Sequence, residues 1–333
     1  MYAYFVDAYK KGSLLRLREA PEPDVGPNDV LVQVHAVSLN LLDSKIRDGE
    51  FKPILPYKPP FIAGHDVAGT VLRVGAQVRK FNVGDEVYSR PSDGRIGTFA
   101  ERIAIDQKDL ALKPKTLSFA EAASVPLVGL TAWQALVDRA NLRSGQKVFI
   151  QAGSGGVGTF AIQLAKHLGA KVATTTSAAN GELVRNLGAD VVIDYREQDF
   201  EKVLLGYDVV LNSQDTETLE KSLRVVRRGG VVVSISGPPD PGFAKQKRLN
   251  PIIGLVFRLL SRGIRKKAQP AGIRYTFLFM NGSGAQLEQI TKLIEAGAIR
   301  PVIDKVFAFE ALNEAMAYLE TGRAKGKVVV TLR

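Results

Sequence analysis

The chain has 333 residues, enough to bury a large core and to form two domains, and it carries a formal net charge of +11 with no cysteine. The missing cysteine excludes disulfides, thiolate zinc sites and a cysteine nucleophile, and leaves His35, His65 and His167 as the imidazoles. No apolar run approaches the roughly 20 residues of a membrane span and no charged-then-apolar signal opens the chain, so no transmembrane segment and a cytoplasmic location are expected.

In chain order, residues 1–112 read as β-rich, with strands expected at 30–37 and 67–74 and turns at Gly75, Gly84-Asp85 and Asp93-Gly94. That pattern implies a compact, irregular β domain. Helices are expected at 119–125 and 131–140. From Lys147 onward strands and helices alternate, which implies an α/β class with a doubly wound parallel sheet. Its strands are read at 147–151, 171–175, 191–194, 208–212, 230–235 and 275–279, and six strands match two mononucleotide-binding halves. Helices near 286–296 and 311–320 follow. A closing strand at 327–332 is expected to return to the first domain.

Between the first of those strands and a helix-like run at 160–168 stands Gly153-Ser154-Gly155-Gly156-Val157-Gly158. Small residues at this spacing let the chain turn sharply, approach a pyrophosphate and point the free N–H groups of a helix start at it. A Gly-x-Gly-x-x-Gly match is weak alone in a chain with 31 glycines. The flanking strand and helix strengthen it, because Phe160, Leu164 and Leu168 recur four apart and Gly169 supplies a C-terminal stop. The plain alternative is a structural turn without ligand. An NAD site places a carboxylate about 20 residues later, where it binds a ribose hydroxyl and repels a 2′-phosphate. Here the second strand ends Thr174-Thr175-Thr176-Ser177-Ala178-Ala179-Asn180. Its hydroxyls and amide, Thr175, Ser177 and Asn180 among them, suit a phosphate, and NADPH is expected over NADH. The plain alternative is a cluster that only caps the next helix.

The segment Gly64-His65-Asp66-x-x-Gly69, continuing through Val74-Gly75 and Val78 to Gly84-Asp85-Glu86-Val87, resembles the signature of the medium-chain dehydrogenase/reductase superfamily. With Leu130-Thr131-Ala132, Gly153 to Gly158 and the terminal Gly322-Arg323 to Gly326-Lys327, the likeness covers essentially the whole chain. Within that superfamily it is most similar to the zinc-independent quinone and enone oxidoreductases, which carry Asn-x-x-Asp, here Asn40 and Asp43, where alcohol dehydrogenases carry a zinc-binding cysteine. The resemblance implies a GroES-like substrate and catalytic domain built from residues 1–120 and 282–333. Residues 121–281 would be a Rossmann NADP(H)-binding domain. It also implies cofactor contacts at Thr131, Tyr195, Ser213, Ser234, Ile235 and Lys327. Arg185 or Arg196 would supply positive charge where some relatives have a lysine in place of Asn180, and Asn212 departs from the usual aspartate. His65 matches a zinc ligand of the zinc-dependent relatives, but Asn40 and Leu127 stand at the two cysteine positions and neither replaces a thiolate. No metal is expected.

Without zinc, direct ketone–alcohol interconversion loses its main electrostatic support, whereas conjugate reduction of an enone or quinone makes an anion that a hydrogen-bond donor can stabilise. The candidates are Asn40, Asp43 and Lys45, with Tyr57 in the proline-rich loop 53–60. Asn40 and Asp43, three apart, would share a helical face. Lysine at position 45 resembles the enone-reducing relatives. Lys45 is expected to donate to the oxyanion or hold the nicotinamide ribose, or else to be an exposed lysine in a polar turn.

The basic extension at 245–267 mixes Lys247, Arg248, Arg258, Arg262, Arg265, Lys266 and Lys267 with an apolar set, Ile252, Val256, Leu259 and Leu260. The plain expectation is a helix whose apolar face packs on the Rossmann domain or a partner subunit. A lid over the substrate and a membrane- or RNA-binding face are the alternatives, and the lack of aromatic stacking residues disfavours nucleic acid. The expected function is an NADPH-dependent reductase of a small quinone or enone, working as a homodimer paired along the edge strand 275–279. Its rival is an NADPH-binding protein with a nucleic-acid or structural, crystallin-like role. A zinc-free alcohol dehydrogenase ranks below both.

Overall fold

In the computed structural model, which describes residues 1–247 and 249–332, the chain divides into two compact units. One holds residues 1–130 and the tail from Asn281 onward, and the other is Thr131–Met280. Residues 121–130, assigned from sequence to the Rossmann domain, therefore sit in the first unit. Arg248 of the basic extension lies outside the described residues.

The second unit is built on a six-stranded sheet in the order Val191–Asp194, Lys171–Thr176, Lys147–Ile150, Tyr207–Asn212, Val226–Ser234, Arg274–Phe277. Every pair is parallel. The strand order reverses beside Lys147–Ile150, which is where doubly wound sheets bind ligands. Apolar runs such as Val209, Val210 and Leu211 form strands here because both sheet faces are covered. Phe149, Ala173, Ile193, Val210, Val232 and Tyr275 supply one residue from each strand to a single core layer. Leu219 and Val225 of the helix Thr216–Val225 and Ile264 and Ala268 of the helix Arg262–Ala268 pack on it.

The first unit joins both chain ends in one sheet of seven strands. Asp29–Leu39 pairs antiparallel with Asp66–Val74, with Arg102–Asp106 and with Lys327–Thr331, and the last of these pairs parallel with Ile303–Ala308. Val30, Val32 and Val34 alternate inward with Val328 and Val330 in a core closed by Leu312, Ala315 and Met316 of the helix Leu312–Glu320. A separate three-stranded sheet, Arg16–Glu19, Tyr2–Val6 and Phe61–Ile62, completes the unit.

Candidate active site

In the second unit the turn after Lys147–Ile150 is shaped by crowding. A Cβ on Gly153 would lie 2.1 Å from Thr174 Oγ1, and one on Gly158 would lie 2.3 Å from the Ala152 carbonyl. Ala152 itself adopts φ 51°, a sparsely populated conformation for a residue with a side chain. Gly155 differs, because its Cβ would meet nothing nearer than the Ala152 oxygen at 3.4 Å. The protein's own packing thus demands Gly153 and Gly158 but leaves room at Gly155, where a ligand would need it. The helix Gly156–His167 starts at Gly155 with no side-chain cap, so its first-turn N–H groups, including those of Gly156 and Val157, are open to an anion.

Ser154 ties this turn to the end of the second strand. Its Oγ accepts from Thr176 Oγ1 at 2.9 Å and from Asn180 Nδ2 at 3.3 Å. Thr175 holds the turn from the other side, its Oγ1 accepting from Ala152 N at 3.2 Å and its carbonyl from Gly153 N at 2.9 Å. Asn180 Oδ1 is buried without a hydrogen-bond partner. Ser177, half-buried, begins the short helical turn Ala178–Asn180. Asp194, the nearby carboxylate, accepts from Ala178 N and Arg196 N, both at 3.0 Å. Tyr195 is exposed, with the Arg196 guanidinium 5.8 Å from its ring centre. Arg185 Nη1 lies 3.2 Å from the Cβ position of Gly181. Arg185 thus lies beside Gly181, which follows this strand end, and Arg196 follows the neighbouring strand Val191–Asp194.

At the carboxyl ends of the central strands a buried polar network fixes Ser213 and Ser234. Gln151 Oε1 accepts from Asn212 Nδ2 at 2.8 Å and from Ser213 N at 3.3 Å, and Ser234 Oγ donates to Asn212 Oδ1 at 2.5 Å. Asparagine at 212 supplies the donor that Gln151 Oε1 accepts, a role an aspartate would fill only with the Gln151 amide turned round. Ile235 N donates to the Asn212 carbonyl at 3.0 Å, and Thr131 is buried toward the end of the helix Pro126–Trp133. Gln151 was missed from sequence, although a polar residue directly between an apolar strand and the glycine turn was the signal available.

In the first unit Asn40 begins the helix Leu41–Asp48, and Asp43 Oδ2 accepts from its backbone N–H at 2.8 Å. Asp43 Oδ1 lies 2.6 Å from His65 Nδ1, and both side chains are buried. Gly64 permits that burial: at φ 104° its Cβ would lie 2.4 Å from both Phe99 and Thr98. Asp66, fully buried, accepts from Leu127 N at 2.7 Å, Ser38 Oγ at 2.8 Å and Asn40 Nδ2 at 2.9 Å, and pairs with Lys327 Nζ at 3.2 Å. The Lys327 ammonium also donates to the Leu39 carbonyl at 3.1 Å and to Asn40 Oδ1. Lys327, expected among the cofactor contacts, is instead placed in this cluster with its donors engaged. Asn40 and Asp43 are likewise committed to it. Lys45 projects from the exposed side of the same helix and makes no ion pair among the described residues. Tyr57 is half-buried rather than on the surface, its hydroxyl donating to the Asp93 carbonyl at 2.5 Å. Burial, then the Asp93 carboxylate, pushes that hydroxyl far above its ordinary range, so it holds its proton at neutral pH.

His65 Nε2 has no hydrogen-bond partner, Nδ1 faces Asp43, and Asp66 is saturated by four donors. Among the described residues no three His, Cys, Asp or Glu side chains are grouped to hold a metal ion. No helix among them is long and apolar enough to cross a membrane.

The sequence pattern of the alcohol dehydrogenase GroES-like domain matches residues 26–115, and that of a zinc-binding dehydrogenase matches residues 187–330. The chain is 37% identical to a 2-methylene-furan-3-one reductase of Solanum lycopersicum, over 99% of this chain and 79% of that protein. It is 36% identical to an NADPH-dependent alkenal/one oxidoreductase, chloroplastic, of Arabidopsis thaliana, over 92% and 73%. The quinone oxidoreductase of Coxiella burnetii superposes with a TM-score of 0.85 at 30% identity, covering 100% of this chain and 99% of the other. With the glycine turn at the switch point of a 3-2-1-4-5-6 sheet and a GroES-like unit made from both chain ends, the protein belongs to the medium-chain dehydrogenase/reductase superfamily and is an oxidoreductase that uses a nicotinamide cofactor.

Proposed function

We propose that the protein is a zinc-independent, NADPH-dependent reductase of α,β-unsaturated carbonyls, with quinones as related acceptors. The observation that carries this reading is the donor set around His65. With Asp66 saturated and Asn40 bound to Lys327, the side chains around His65 offer a poor ligand set for a metal, and the task of polarising a substrate oxygen falls, on this reading, to hydrogen-bond donors. Donors suffice for a conjugate acceptor, whose negative charge is delocalised, better than for an isolated alkoxide. NADPH, when bound, would supply a hydride from C4 of its nicotinamide to the β-carbon, and solvent would supply the proton that the resulting enolate takes up. Lys45, exposed and without an ion pair among the described residues, donates to the oxygen where the enolate charge develops; Tyr57 would serve as a second donor only by giving up its bond to the Asp93 carbonyl.

Three features of the chain support NADPH over NADH. No Asp or Glu stands in residues 177–180 after the second strand, Ser177 and Asn180 carry polar groups there, and Arg185 and Arg196 lie close by in the sequence as sources of positive charge. The glycine turn and the uncapped helix start would take the pyrophosphate. The names of the alkenal/one and furanone reductases among the relatives favour enones.

The test is NADPH oxidation at saturating enone or quinone, with EDTA, beside NADH and beside Lys45→Ala and Arg185→Ala/Arg196→Ala. Turnover should survive EDTA. The double arginine variant should raise the NADPH KM about tenfold or more with little change for NADH, and Lys45→Ala should lower kcat about 10–100-fold. Loss of turnover on chelation, restored by zinc, would overturn the reading.

A further inference from the structure

The helix Pro251–Leu260 leaves its apolar side without a partner. The sequence suggested that Ile252, Val256, Leu259 and Leu260 would pack on the Rossmann domain or on a partner subunit; within the chain they are 70%, 46%, 60% and 59% exposed, and Leu255 is 56% exposed, so the first alternative does not hold. At roughly 100° per residue these five side chains fall within one arc of about 140°. Phe257, on the other side, is the residue that anchors the helix, its ring centre 5.9 Å from that of Phe243. Five large aliphatic side chains exposed side by side mark a contact surface.

The surrounding charge identifies what that surface fits. Residues 241–287 hold nine Lys or Arg and no Asp or Glu, so this stretch accounts for most of the net +11. Arg258 borders the aliphatic arc at Leu255, and the following helix, Arg262–Ala268, adds Arg262, Arg265, Lys266 and Lys267. Lys267 is paired with Glu220 at 2.6 Å, whereas Arg258, Arg262 and Lys266 are exposed and make no ion pair among the described residues. A second copy seated on this face would bring the same cations against one another across a twofold axis. RNA would meet the cations but gain nothing from an aliphatic stripe that lacks exposed aromatic rings. An anionic bilayer answers both features, since aliphatic side chains enter the headgroup–acyl boundary while cations sit at the charged headgroups. A helix of this length lies on such a surface rather than spanning it.

We propose that the helix Pro251–Leu260, with Arg258, Arg262 and Lys266 beside it, docks the protein on an anionic lipid bilayer. The docking surface is independent of the redox reading. Flotation of the full chain is measured with vesicles of phosphatidylcholine alone and of phosphatidylcholine with about one-third phosphatidylglycerol. The chain should float with the anionic vesicles and not the neutral ones, and added salt should weaken the association. Leu255→Gln/Leu259→Gln, at exposed positions, should leave the melting temperature unchanged and lower partitioning about tenfold or more. Three results would overturn the assignment. One is absence of flotation with anionic vesicles. Another is equal flotation of the leucine variant, which would reduce the effect to charge alone. The third is a parent protein that sediments as a dimer without floating and that the variant splits into monomers, which would give the stripe to a second copy.

Discussion

Lys327 shows how one buried charge organises the first unit. Its ammonium is enclosed with a fully buried carboxylate, Asp66, and bonds Asn40 and the Leu39 carbonyl, which joins the last strand of the chain to the first turn of the helix Leu41–Asp48. Removing one member of such a pair strands the other, at a cost of about 3–5 kcal/mol. Lys327→Met should therefore lower stability by about that amount in urea titrations, and adding Asp66→Asn should recover part of it as a non-additive double-variant cycle. A Lys327→Met protein that keeps its stability and instead loses NADPH affinity would return this lysine to the cofactor. The residues of the cluster were legible in the sequence as a motif, but their roles were not. Asn40, Asp43 and His65 stood out by spacing, whereas the partner that locks Asn40 is 287 residues away and no local pattern encodes that contact. Tyr57 likewise could be placed on a loop, but its bond to the Asp93 carbonyl depends on a turn 36 residues on.

The strand–turn–helix unit from Lys147 to His167 was legible, although the helix begins four residues before the run read at 160–168, because its signals are local: an apolar run, small residues at fixed spacing and a four-residue apolar repeat. Its glycines make separable predictions. Gly158→Ala forces a Cβ to 2.3 Å from a backbone oxygen and 2.7 Å from Gly153 Cα, so it should cost about 1–3 kcal/mol and abolish NADPH binding. Gly155→Ala places its Cβ in ordinary contact at φ −81° and should leave the melt within about 1 kcal/mol of the parent. It should nevertheless weaken NADPH about tenfold in a fluorescence titration, because the methyl occupies the approach to the pyrophosphate. Unchanged NADPH affinity in Gly155→Ala would remove the pyrophosphate from this turn. Other elements were less legible. Arg16–Glu19 is too short and too charged to announce itself and Glu86–Ser89 too short, and their strand identity comes from partners elsewhere. In the helix Pro251–Leu260 the apolar periodicity gave the stripe but not its direction, since Phe257 alone turns inward and outweighs four aliphatic residues that the pattern placed at the interface.

At the scale of the molecule, the first unit cannot be assembled until both ends of the chain exist, while the second is continuous from Thr131 to Met280. The strand Lys327–Thr331 lies inside the seven-stranded sheet, hydrogen-bonded to Asp29–Leu39 on one side and Ile303–Ala308 on the other. Its Val328 and Val330 fill the same core as Val30 and Val32. Pairing over so large a sequence separation is entropically costly to nucleate, and it has no local substitute. A chain ending at Gly322 should therefore lose the first unit as a packed structure: the sheet would be split, and two new strand edges would be exposed to proteases and to aggregation. The second unit draws its six strands and its core from one uninterrupted segment, so it should persist. Limited proteolysis of the shortened chain should destroy residues 1–130 rapidly and leave a fragment close to 131–280. NADPH at about 100 times its Kd should protect that fragment by about 2.7 kcal/mol, seen as slower cleavage and a higher melting temperature. If residues 1–130 stay protected without the last strand, the tail is an accessory to the first unit, and the stabilisation assigned to Lys327 must come from elsewhere in that sheet.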